Sequence, residues 1–444
     1  MQKNTTNRRH FLGLLGVSGA GLVSGLSLPT PSAFAQATPP DRPLVDSPPV
    51  LQCPTETGIV VVWAVGQSAA GLVEFGTDPQ NLNQTVTGDV LGLNACHDSF
   101  LQVRLEGLKP NTRYYYRTIT APLHFRAGIV PERGEPAISD VFSFETPGPD
   151  KQAGSFAVMN DTHNNQPALK RLTDKLAEIK ADYTLWTGDL VDHFDNADQA
   201  VEAVLRPGGS AFATERPMLF VPGNHDYRGR WARNLPLALP TWEHEAPADR
   251  KMMRNFVVRS GPLALIGLDT GEDKPDRHPA WAGLARFEPY RIAQRDWLER
   301  ALKSKPVATA PFVVAFCHIP LFDANPNANG GDILEGYAYF QRQSATLWGP
   351  LLAQYGVQLV IAAHAHHFRY DEPTADRPWP QLIGGGNAPL NPSPSFMARH
   401  QATRWKSSST TCAAKKNLEA VWKLNAVKTS DCKLSPFCRT IEMC

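Results

Sequence analysis

The chain has 444 residues, of which 42% are hydrophobic and 20% charged, and its 44 Lys and Arg residues nearly balance its 43 Asp and Glu residues. This length exceeds one core of typical size and predicts a soluble protein with two folded domains. The balanced charge gives no reason to expect a nucleic acid polymer or an acidic membrane surface as partner, so we expect a small-molecule substrate.

The first predicted element is a targeting segment, residues 1–35. It contains the twin arginine Arg8-Arg9, a short Gly-rich apolar stretch and an Ala-Phe-Ala ending. This pattern resembles a bacterial twin-arginine signal and predicts export to the periplasm or the medium. An uncleaved membrane anchor is the alternative, although Gly and Ser dilute the apolar stretch. After cleavage we expect no membrane anchor.

A Pro-rich linker, residues 36–48, is followed by a segment that predicts an all-β domain at 49–148. Runs rich in β-branched and aromatic residues alternate there with turn residues, and no segment has helical periodicity. The predicted strands are 58–65, 69–76, 99–108, 113–119 and 139–147. We expect a small β-sandwich, in which Cys53 and Cys96 have the option of pairing.

Within this segment, "LEGLKPNTRYYYRT" at residues 105–118 resembles the tyrosine corner of fibronectin type III domains and of the N-terminal domain of purple acid phosphatases. Trp63 would be the core tryptophan. We assign these aromatic residues to packing, without a chemical role.

Residues 150–395 predict an α/β domain with a mostly buried sheet, because short apolar runs alternate with segments of helical periodicity at 166–180, 197–206 and 291–303. Cys317 lies in one apolar run and is predicted to be a buried free thiol. The tail at 396–444 is rich in Ser, Lys and Cys, matches neither domain and is given no function.

Residues of the types that bind metals follow five strand-like runs of this domain directly. They are Asp161 and His163, Asp189 and Asp192, Asn224 and His225, His318, and the pair His364 and His366. In open α/β sheets, active sites form where the carboxyl ends of strands converge. The sequence therefore predicts a shared site at these ends.

The number of ligands predicts two metal ions, since seven side chains are too many for one tetrahedral zinc and are not the all-oxygen set that magnesium or calcium prefers. If Asp189 bridges, each ion receives four ligands. The two sets are Asp161, His163, Asp189 and His366 for one ion, and Asp189, Asn224, His318 and His364 for the other. Zinc, iron and manganese all suit such mixed sets.

The ordered motifs "DTH", "GDLVD", "GNHD", "CHIP" and "HAH" resemble those of the calcineurin-like metallophosphoesterases over residues 154–387. This resemblance implies two mixed sheets flanked by helices, in an αββα sandwich behind a fibronectin type III-like domain. It also implies a dinuclear centre in which a hydroxide bridging the metals attacks a phosphate ester. We expect phosphomonoesters as substrates; nucleotide or glycerophosphodiester hydrolysis and a catalytically silent binding module are the alternatives.

Two positions depart from purple acid phosphatases. Those enzymes have an iron-binding tyrosine where this chain has Asp192, and they lack a histidine ligand where this chain has His163, so we expect no Fe(III)-tyrosinate colour. In relatives with the "GDxVD" form, the second aspartate holds the histidine of "GNH". We therefore expect Asp192 to hold His225, and His225 to protonate the leaving alcohol.

The remaining predictions concern the rim of the site. Arg369 is a candidate ligand for the substrate phosphate, with a surface ion pair as the alternative. Asp226 either orients its loop or is solvated. His364 and His366 would point the same way from an extended segment, roughly 6.6 Å apart, and His367 the other way. Loops 231–247 and 322–342 are expected to border the pocket.

Overall fold

The computed structural model describes residues 42–89, 91–126, 130–322, 337–386, 422–427 and 440–443. The predicted signal segment 1–35 and most of the predicted tail lie outside these ranges. Among the described helices, none combines the length and apolar character needed to cross a bilayer.

The N-terminal region consists of strands, as its composition predicts. In chain order they are β1 (Val50–Thr55), β2 (Gly58–Ala64), β3 (Ala69–Gly76), β4 (Gln84–Thr87), β5 (Cys96–His97), β6 (Phe100–Leu105), β7 (Arg113–Arg126), β8 (Val130–Arg133), β9 (Ala137–Ile138) and β10 (Phe142–Glu145). One face is formed by β1, β2 and β6, and the other has the order β10-β7-β3-β4. The prediction of a sheet-rich N-terminal domain is confirmed.

The core between these two faces is aromatic and β-branched. Trp63 is fully buried there, and its indole Nε1 donates to the Thr120 hydroxyl at 2.9 Å, which satisfies the polar edge of the ring. The Tyr114 hydroxyl accepts a hydrogen bond from the main-chain N–H of Lys109 at 3.0 Å. This contact closes the chain reversal before β7 in the manner of a tyrosine corner.

The option of a disulfide between Cys53 and Cys96 is wrong, because both thiols are free. Cys53 is buried on β1 and contacts the Pro240 carbonyl oxygen, whereas Cys96 is exposed on β5 in the opposite sheet. Cys317 is a buried free thiol, as predicted.

The second domain alternates strands and helices. Its elements are β11 (Ala153–Met159), α1 (Gln166–Glu178), β12 (Tyr183–Trp186), α2 (Ala197–Ala200), β13 (Met218–Phe220), β14 (Phe256–Ser260), β15 (Leu263–Gly267), α3 (Phe287–Lys303), α4 (Lys305–Ala308), β16 (Phe312–Phe316), α5 (Tyr337–Gln354), β17 (Leu359–Ala362), β18 (Arg369–Asp371) and β19 (Gln381–Ile383). Two stretches of the tail add β20 (Trp422–Val427) and β21 (Thr440–Met443).

The helices differ from the predictions in two places. The predicted helix 197–206 is α2 followed by a π-helical turn at Val201–Leu205. Helix α5 was not predicted, since Gly349 and Pro350 lie within it and read as a break in the sequence.

Two mixed sheets pack face to face and carry helices on their outer sides. The first has the order β21-β20-β11-β12-β13-β1-β2-β6, and the second β14-β15-β16-β17-β19-β18. The rings of Phe156 and Phe316 meet between them with centroids 5.2 Å apart. On β15, Leu265 faces the first sheet while Ile266 packs with α3 and α5. The predicted αββα sandwich is confirmed.

The first sheet crosses the boundary between the two predicted domains. Strand β13 pairs in parallel with β1 at Met218 and Gln52, and the Gln52 side-chain amide donates to the Ala238 carbonyl oxygen at 2.9 Å. At the other edge, β20 pairs antiparallel with β11. The N-terminal strands and part of the tail therefore extend the central sheet.

Candidate metal centre

The predicted ligands meet at the carboxyl ends of strands from both sheets of the sandwich. Loops after β11, β12 and β13 carry Asp161, Asp189 and Asn224, and loops after β16 and β17 carry His318 and His364. Neighbouring strands in each of these groups are parallel, so their carboxyl ends lie side by side.

One cluster consists of Asp161, His163, Asp189 and His366, with candidate ligand atoms within 4.8 Å of one another. The Nε2 atoms of His163 and His366 are 3.2 Å apart. His366 Nε2 is 3.4 Å from an Asp161 carboxylate oxygen, and His163 Nε2 is 3.7 Å from Asp189 Oδ2. The structure thus brings together the residues predicted for the first ion.

The second cluster contains Asp189, His318 and His364. His318 Nε2 lies 3.3 Å from Asp189 Oδ2 and 3.1 Å from the amide oxygen of Asn224. His364 Nδ1 lies 2.9 Å from the same amide oxygen. These are the four residues predicted for the second ion, and Asp189 belongs to both clusters.

The chemistry of the donor atoms fits two cations of the zinc, iron or manganese type. The His318 Nδ1 donates to the Thr187 carbonyl oxygen at 2.7 Å, and the His163 Nδ1 contacts the Asp192 carboxylate at 2.7 Å. Each contact leaves Nε2 directed into its cluster as a lone-pair donor, the arrangement typical of metal-binding histidines.

Electrostatics in the absence of cations point the same way. Burial opposes the charged form of His318, but the Asp189 carboxylate outweighs it and raises the pKa of His318 to about 10. The pKa of Asp189 is lowered, because the nearby imidazoles, His318 first, overcome the effect of burial. Burial and the neighbouring His318 lower the pKa of His364 to about 4. The Asp189 carboxylate therefore holds the positive charge of His318 at the place where a cation would bind.

The backbone of the site adopts a conformation that L-residues rarely take. Five of the predicted ligands have φ between 45° and 67°: Asp161, His163, Asp189, His364 and His366. Such residues cost about 1–3 kcal/mol each and cluster at functional sites. The main-chain N–H of His163 donates to the Asp189 carbonyl oxygen at 3.0 Å, and similar bonds hold the two loops together.

Two glycines let these loops approach closely. A Cβ atom on Gly188 would lie 2.2 Å from the nitrogen of Gly223, and one on Gly223 would lie 2.2 Å from Asp189 Oδ1. Gly188 also has φ of 82°. Steric crowding therefore requires glycine at the first position of each "GD" and "GN" pair, and the second residue supplies the candidate metal-binding side chain.

Asp226 orients its loop, which decides between the two alternatives left by the sequence. Its buried carboxylate accepts hydrogen bonds from the main-chain N–H groups of Asp189, Leu190 and Gly223, at 3.0, 3.0 and 2.7 Å. Burial and the adjacent Asp189 raise the pKa of Asp226 to about 7. Asp226 thus joins the loops that follow β12 and β13.

The expected contact between Asp192 and His225 is different in the structure. The Asp192 carboxylate contacts His163, and the Asp192 main-chain carbonyl oxygen accepts from His225 Nδ1 at 2.8 Å. The reason is steric: the rings of His163 and His225 pack edge to face, 4.9 Å apart, and His163 occupies the carboxylate. Asp192 therefore orients both rings, by different atoms.

Sequence reasoning missed a charged group beside His225. Arg228 Nη1 lies 3.0 Å from His225 Nε2, while the other guanidinium nitrogens contact the carboxylates of Glu272 and Asp273. The two acids follow β15, so "LDTGEDK" is a further strand end with acidic residues. Their position directly after a strand is the sequence signal that could have identified these two acids.

Arg369 makes the ion pair that the sequence left as the alternative to a substrate contact. Its guanidinium contacts the Asp371 carboxylate at 2.9 Å and the Phe322 carbonyl oxygen at 2.8 Å. The side chain of Asp371, 8% exposed, is nearly buried, so this pair has a structural function on β18.

The "HAH" segment is not extended, contrary to the expectation. Strand β17 ends at Ala362, and the left-handed φ values of His364 and His366 bend the chain so that both imidazoles face the clusters. His367 is exposed and contacts the Ala365 carbonyl oxygen, as expected of a residue outside the site. The structure does bring His364 and His366 together at the site, but it does so through their left-handed backbone and not through alternation along a strand.

The two loops expected to border the pocket have different outcomes. Residues 323–336 lie outside the described residues, so most of loop 322–342 has no structural account. In loop 231–247, the Trp231 ring packs on Phe100 and Phe194, and Leu235 and Trp242 are buried in the core. This loop fills the junction with the N-terminal strands.

Comparison with known proteins gives matches for both domains. Residues 154–368 match the family model of the calcineurin-like phosphoesterases, and residues 49–146 match that of the purple acid phosphatase N-terminal domain.

Among curated proteins, the chain is 26% identical over 275 residues to probable purple acid phosphatase 20 of Arabidopsis thaliana, covering 59% of the chain and 53% of that protein. It is 24% identical over 311 residues to purple acid phosphatase 21 of the same plant, covering 69% and 62%. The chain thus spans between half and two thirds of these relatives.

Among solved structures, a purple acid phosphatase isolated from yellow lupin (Lupinus luteus) seeds matches with a TM-score of 0.54 and 15% identity, over 86% of this chain and 71% of that one. At this identity the match shows a shared fold.

Proposed function

Because the chain combines a calcineurin-like phosphoesterase domain with a purple acid phosphatase N-terminal domain, we propose that it is a metal-dependent hydrolase of phosphate esters. The observation that carries the proposal is Asp189, a buried carboxylate that belongs to two adjacent clusters of ligand atoms. A shared carboxylate of this kind suits a pair of cations better than a single one.

When bound, two cations of the zinc, iron or manganese type would supply an acidified water as nucleophile and neutralise charge on the phosphoryl group. The chain's own contribution is to hold the pair. His163 and His366 would bind one ion with Asp161, and His318, His364 and Asn224 the other. Buried main-chain contacts orient these side chains before substrate arrives.

His225 is the proposed proton donor to the leaving alcohol. Its Nδ1 donates to the Asp192 carbonyl oxygen, which leaves Nε2 as the atom that exchanges a proton with substrate. Burial is the main cause that lowers the pKa of His225, and Arg228 adds to it. The protonated ring is thus favoured only at acid pH, and we expect turnover to fall as the pH rises through a value below 6.5, the ordinary pKa of histidine.

We propose phosphomonoesters as the substrates, with hydrolysis of nucleotide or glycerophosphodiester substrates as the alternative, and export through the twin-arginine pathway. The relatives' names support a phosphatase. Asp192 stands where purple acid phosphatases carry their tyrosine and contacts His163, which supports a colourless centre.

The test is a substrate panel on the mature protein after metal analysis, comparing an aryl phosphate, a bis-aryl phosphate and nucleotides across pH. We expect the aryl phosphate to be hydrolysed fastest and the activity to depend on added metal. A metal-loaded protein that hydrolyses none of them would contradict the proposed function and favour a silent binding module. Preference for the bis-aryl phosphate would favour the phosphodiesterase.

A further inference from the structure

Arg228 lies beside the proposed proton donor, and the proposed mechanism gives it no contact with the substrate. It follows the short helical turn His225–Tyr227, and its side chain is 22% exposed. Its guanidinium Nη1 is 3.0 Å from His225 Nε2. His225 also donates its main-chain N–H to the Asp189 carboxylate at 3.0 Å. Arg228 is therefore linked through His225 to Asp189, the proposed bridging ligand.

The guanidinium is held in place from both ends. The main-chain N–H of Arg228 donates to the His225 carbonyl oxygen at 3.0 Å, and its carbonyl oxygen accepts from Phe194 at 2.9 Å. At the other end, Nε donates to the fully buried carboxylate of Glu272, and Nη2 contacts Asp273 Oδ1 at 3.0 Å. A side chain fixed in this way reaches its binding geometry without losing rotamer freedom later.

The loop that carries these two acids is itself anchored. Arg291 is fully buried, and its guanidinium donates to the carbonyl oxygens of Thr270 and Glu272, at 2.7 and 2.5 Å. Glu272 and Asp273 are therefore positioning residues for Arg228, on a loop that Arg291 anchors through main-chain carbonyl oxygens.

The Arg228 guanidinium has N–H donors that no described residue accepts. A guanidinium offers five N–H donors. Its contacts with His225, Glu272 and Asp273 use one hydrogen on each nitrogen, and no other described residue takes the second hydrogen of Nη1 or of Nη2. A planar fork with two such donors matches phosphate oxygens.

The site's geometry also favours Arg228 over the arginine that the sequence suggested. Arg369 directs its guanidinium at Asp371 and Phe322. Arg228, by contrast, interacts electrostatically with Asp189.

Building on the function proposed above, we propose that Arg228 is a catalytic residue that binds the non-bridging oxygens of the substrate's phosphoryl group and favours dianionic monoesters over monoanionic diesters. A charge-assisted contact of this kind is worth roughly 10- to 100-fold in affinity.

The direct test measures binding of inorganic phosphate to the metal-loaded protein by calorimetry. Arg228→Gln should raise the Kd for phosphate by about 10- to 100-fold, with Arg228→Lys in between. The matched control is Arg230→Gln, an exposed arginine two residues away whose Nε donates to the Asp195 carbonyl oxygen, and it should leave the Kd unchanged. An unchanged Kd in Arg228→Gln would overturn the proposal.

Removing the guanidinium leaves the buried Glu272 without its partner, so the single variant has a route to misfolding. The double variant Arg228→Gln/Glu272→Gln removes that unpaired charge and should show the same weakened phosphate binding. Restored phosphate affinity in the double variant would overturn the proposal, because it would show that Arg228→Gln loses affinity through disorder around the unpaired Glu272.

Kinetics separate this proposal from the function on which it rests. In Arg228→Gln, kcat/KM for an aryl phosphate should fall about tenfold more than for a bis-aryl phosphate; equal losses would contradict the charge preference. If the wild type binds phosphate through Arg228 but hydrolyses no ester, the proposed function fails and the binding role stands. If it hydrolyses esters and Arg228→Gln binds phosphate normally, only this inference fails.

Discussion

The two halves of the candidate metal centre differ in their access to solvent, through His318 in one half and His366 in the other. His318 and Asn224, in the second cluster, are buried, and the His318 side chain is 0% exposed. In the first cluster, the side chain of His366 is 43% exposed, and Asp192, which holds His163, is 69% exposed. Asp189 is buried and joins the halves.

Because of this difference in exposure, the two ions should not be equivalent. Buried ligands held by the main chain lose little freedom when they bind, and solvent reaches their ion slowly. Exposed ligands are less restricted, and water competes with them. We therefore expect a tightly bound ion in the buried half and an exchangeable ion in the open half, next to His225.

The largest expected effect comes from breaking the link between the halves. Asp189→Asn should lower metal content at both positions and reduce turnover to background, because both clusters lose a charged ligand. Elemental analysis of the purified variant checks this. Asp195→Asn is the matched control, since that carboxylate is exposed and contacts His193. Full metal content in Asp189→Asn would refute the bridging role.

Substituting one histidine in each half sharpens the comparison. His318→Ala should abolish metal binding in the buried half at any metal concentration. His366→Ala should lose only the exchangeable ion, and excess metal should restore part of the activity. Activity titrations with Zn²⁺ or Mn²⁺ measure both responses. Equal behaviour of the two variants would contradict the division into a buried and an open half.

His225 separates catalysis from metal binding. His225→Ala should keep both ions, because its side chain belongs to neither predicted ligand set, while kcat falls by about 10²- to 10⁴-fold. Metal analysis and steady-state kinetics with an aryl phosphate test this together. His193→Ala, an exposed histidine nearby, should behave as wild type. Collapse of the metal content would show that His225 is a ligand and not the proton donor.

Asp192 affects the open half only through its contact with His163. Asp192→Asn keeps the shape but removes the charge that orients the imidazole, so metal affinity in the open half should fall by about 10- to 100-fold. The buried ion should be retained. Competition with a chelator resolves the two ions, and a loss from the buried half would be contrary to this account.

The last expected effect is a difference in pH dependence. In the ion-free site the pKa of His318 is raised to about 10, so His318 carries a proton that a metal ion must displace. Below that pH the affinity of the buried half should rise about tenfold per pH unit as the proton is lost. Equilibrium metal binding at pH 6, 7 and 8 measures this pH dependence. A metal affinity that falls as the pH rises would contradict the prediction.

The sequence predicted which residues the structure brings together in the two clusters, because each of them follows its strand within a short local motif. His163 and Asp189 could be assigned in this way from "DTH" and "GDLVD". The left-handed backbone of His364 and His366 could not, since it depends on how the loops meet in space.

Local sequence patterns also could not predict contacts between segments that are distant in the chain. Arg228 meets Glu272 across 44 positions of sequence, and neither residue belongs to a recognised motif. The pairing of β1 with β13 joins the two predicted domains through backbone groups, which carry no side-chain signature. Periodicity failed for α5 because Gly349 and Pro350 interrupt it.

Stepwise metal loading of the ion-free wild-type protein tests whether Asp189 joins two unequal metal sites. We expect two ions per chain at saturation: the first, in the buried half, restores little activity, and turnover appears with the second. Binding of a single ion that restores full activity would contradict a shared Asp189 and two unequal halves.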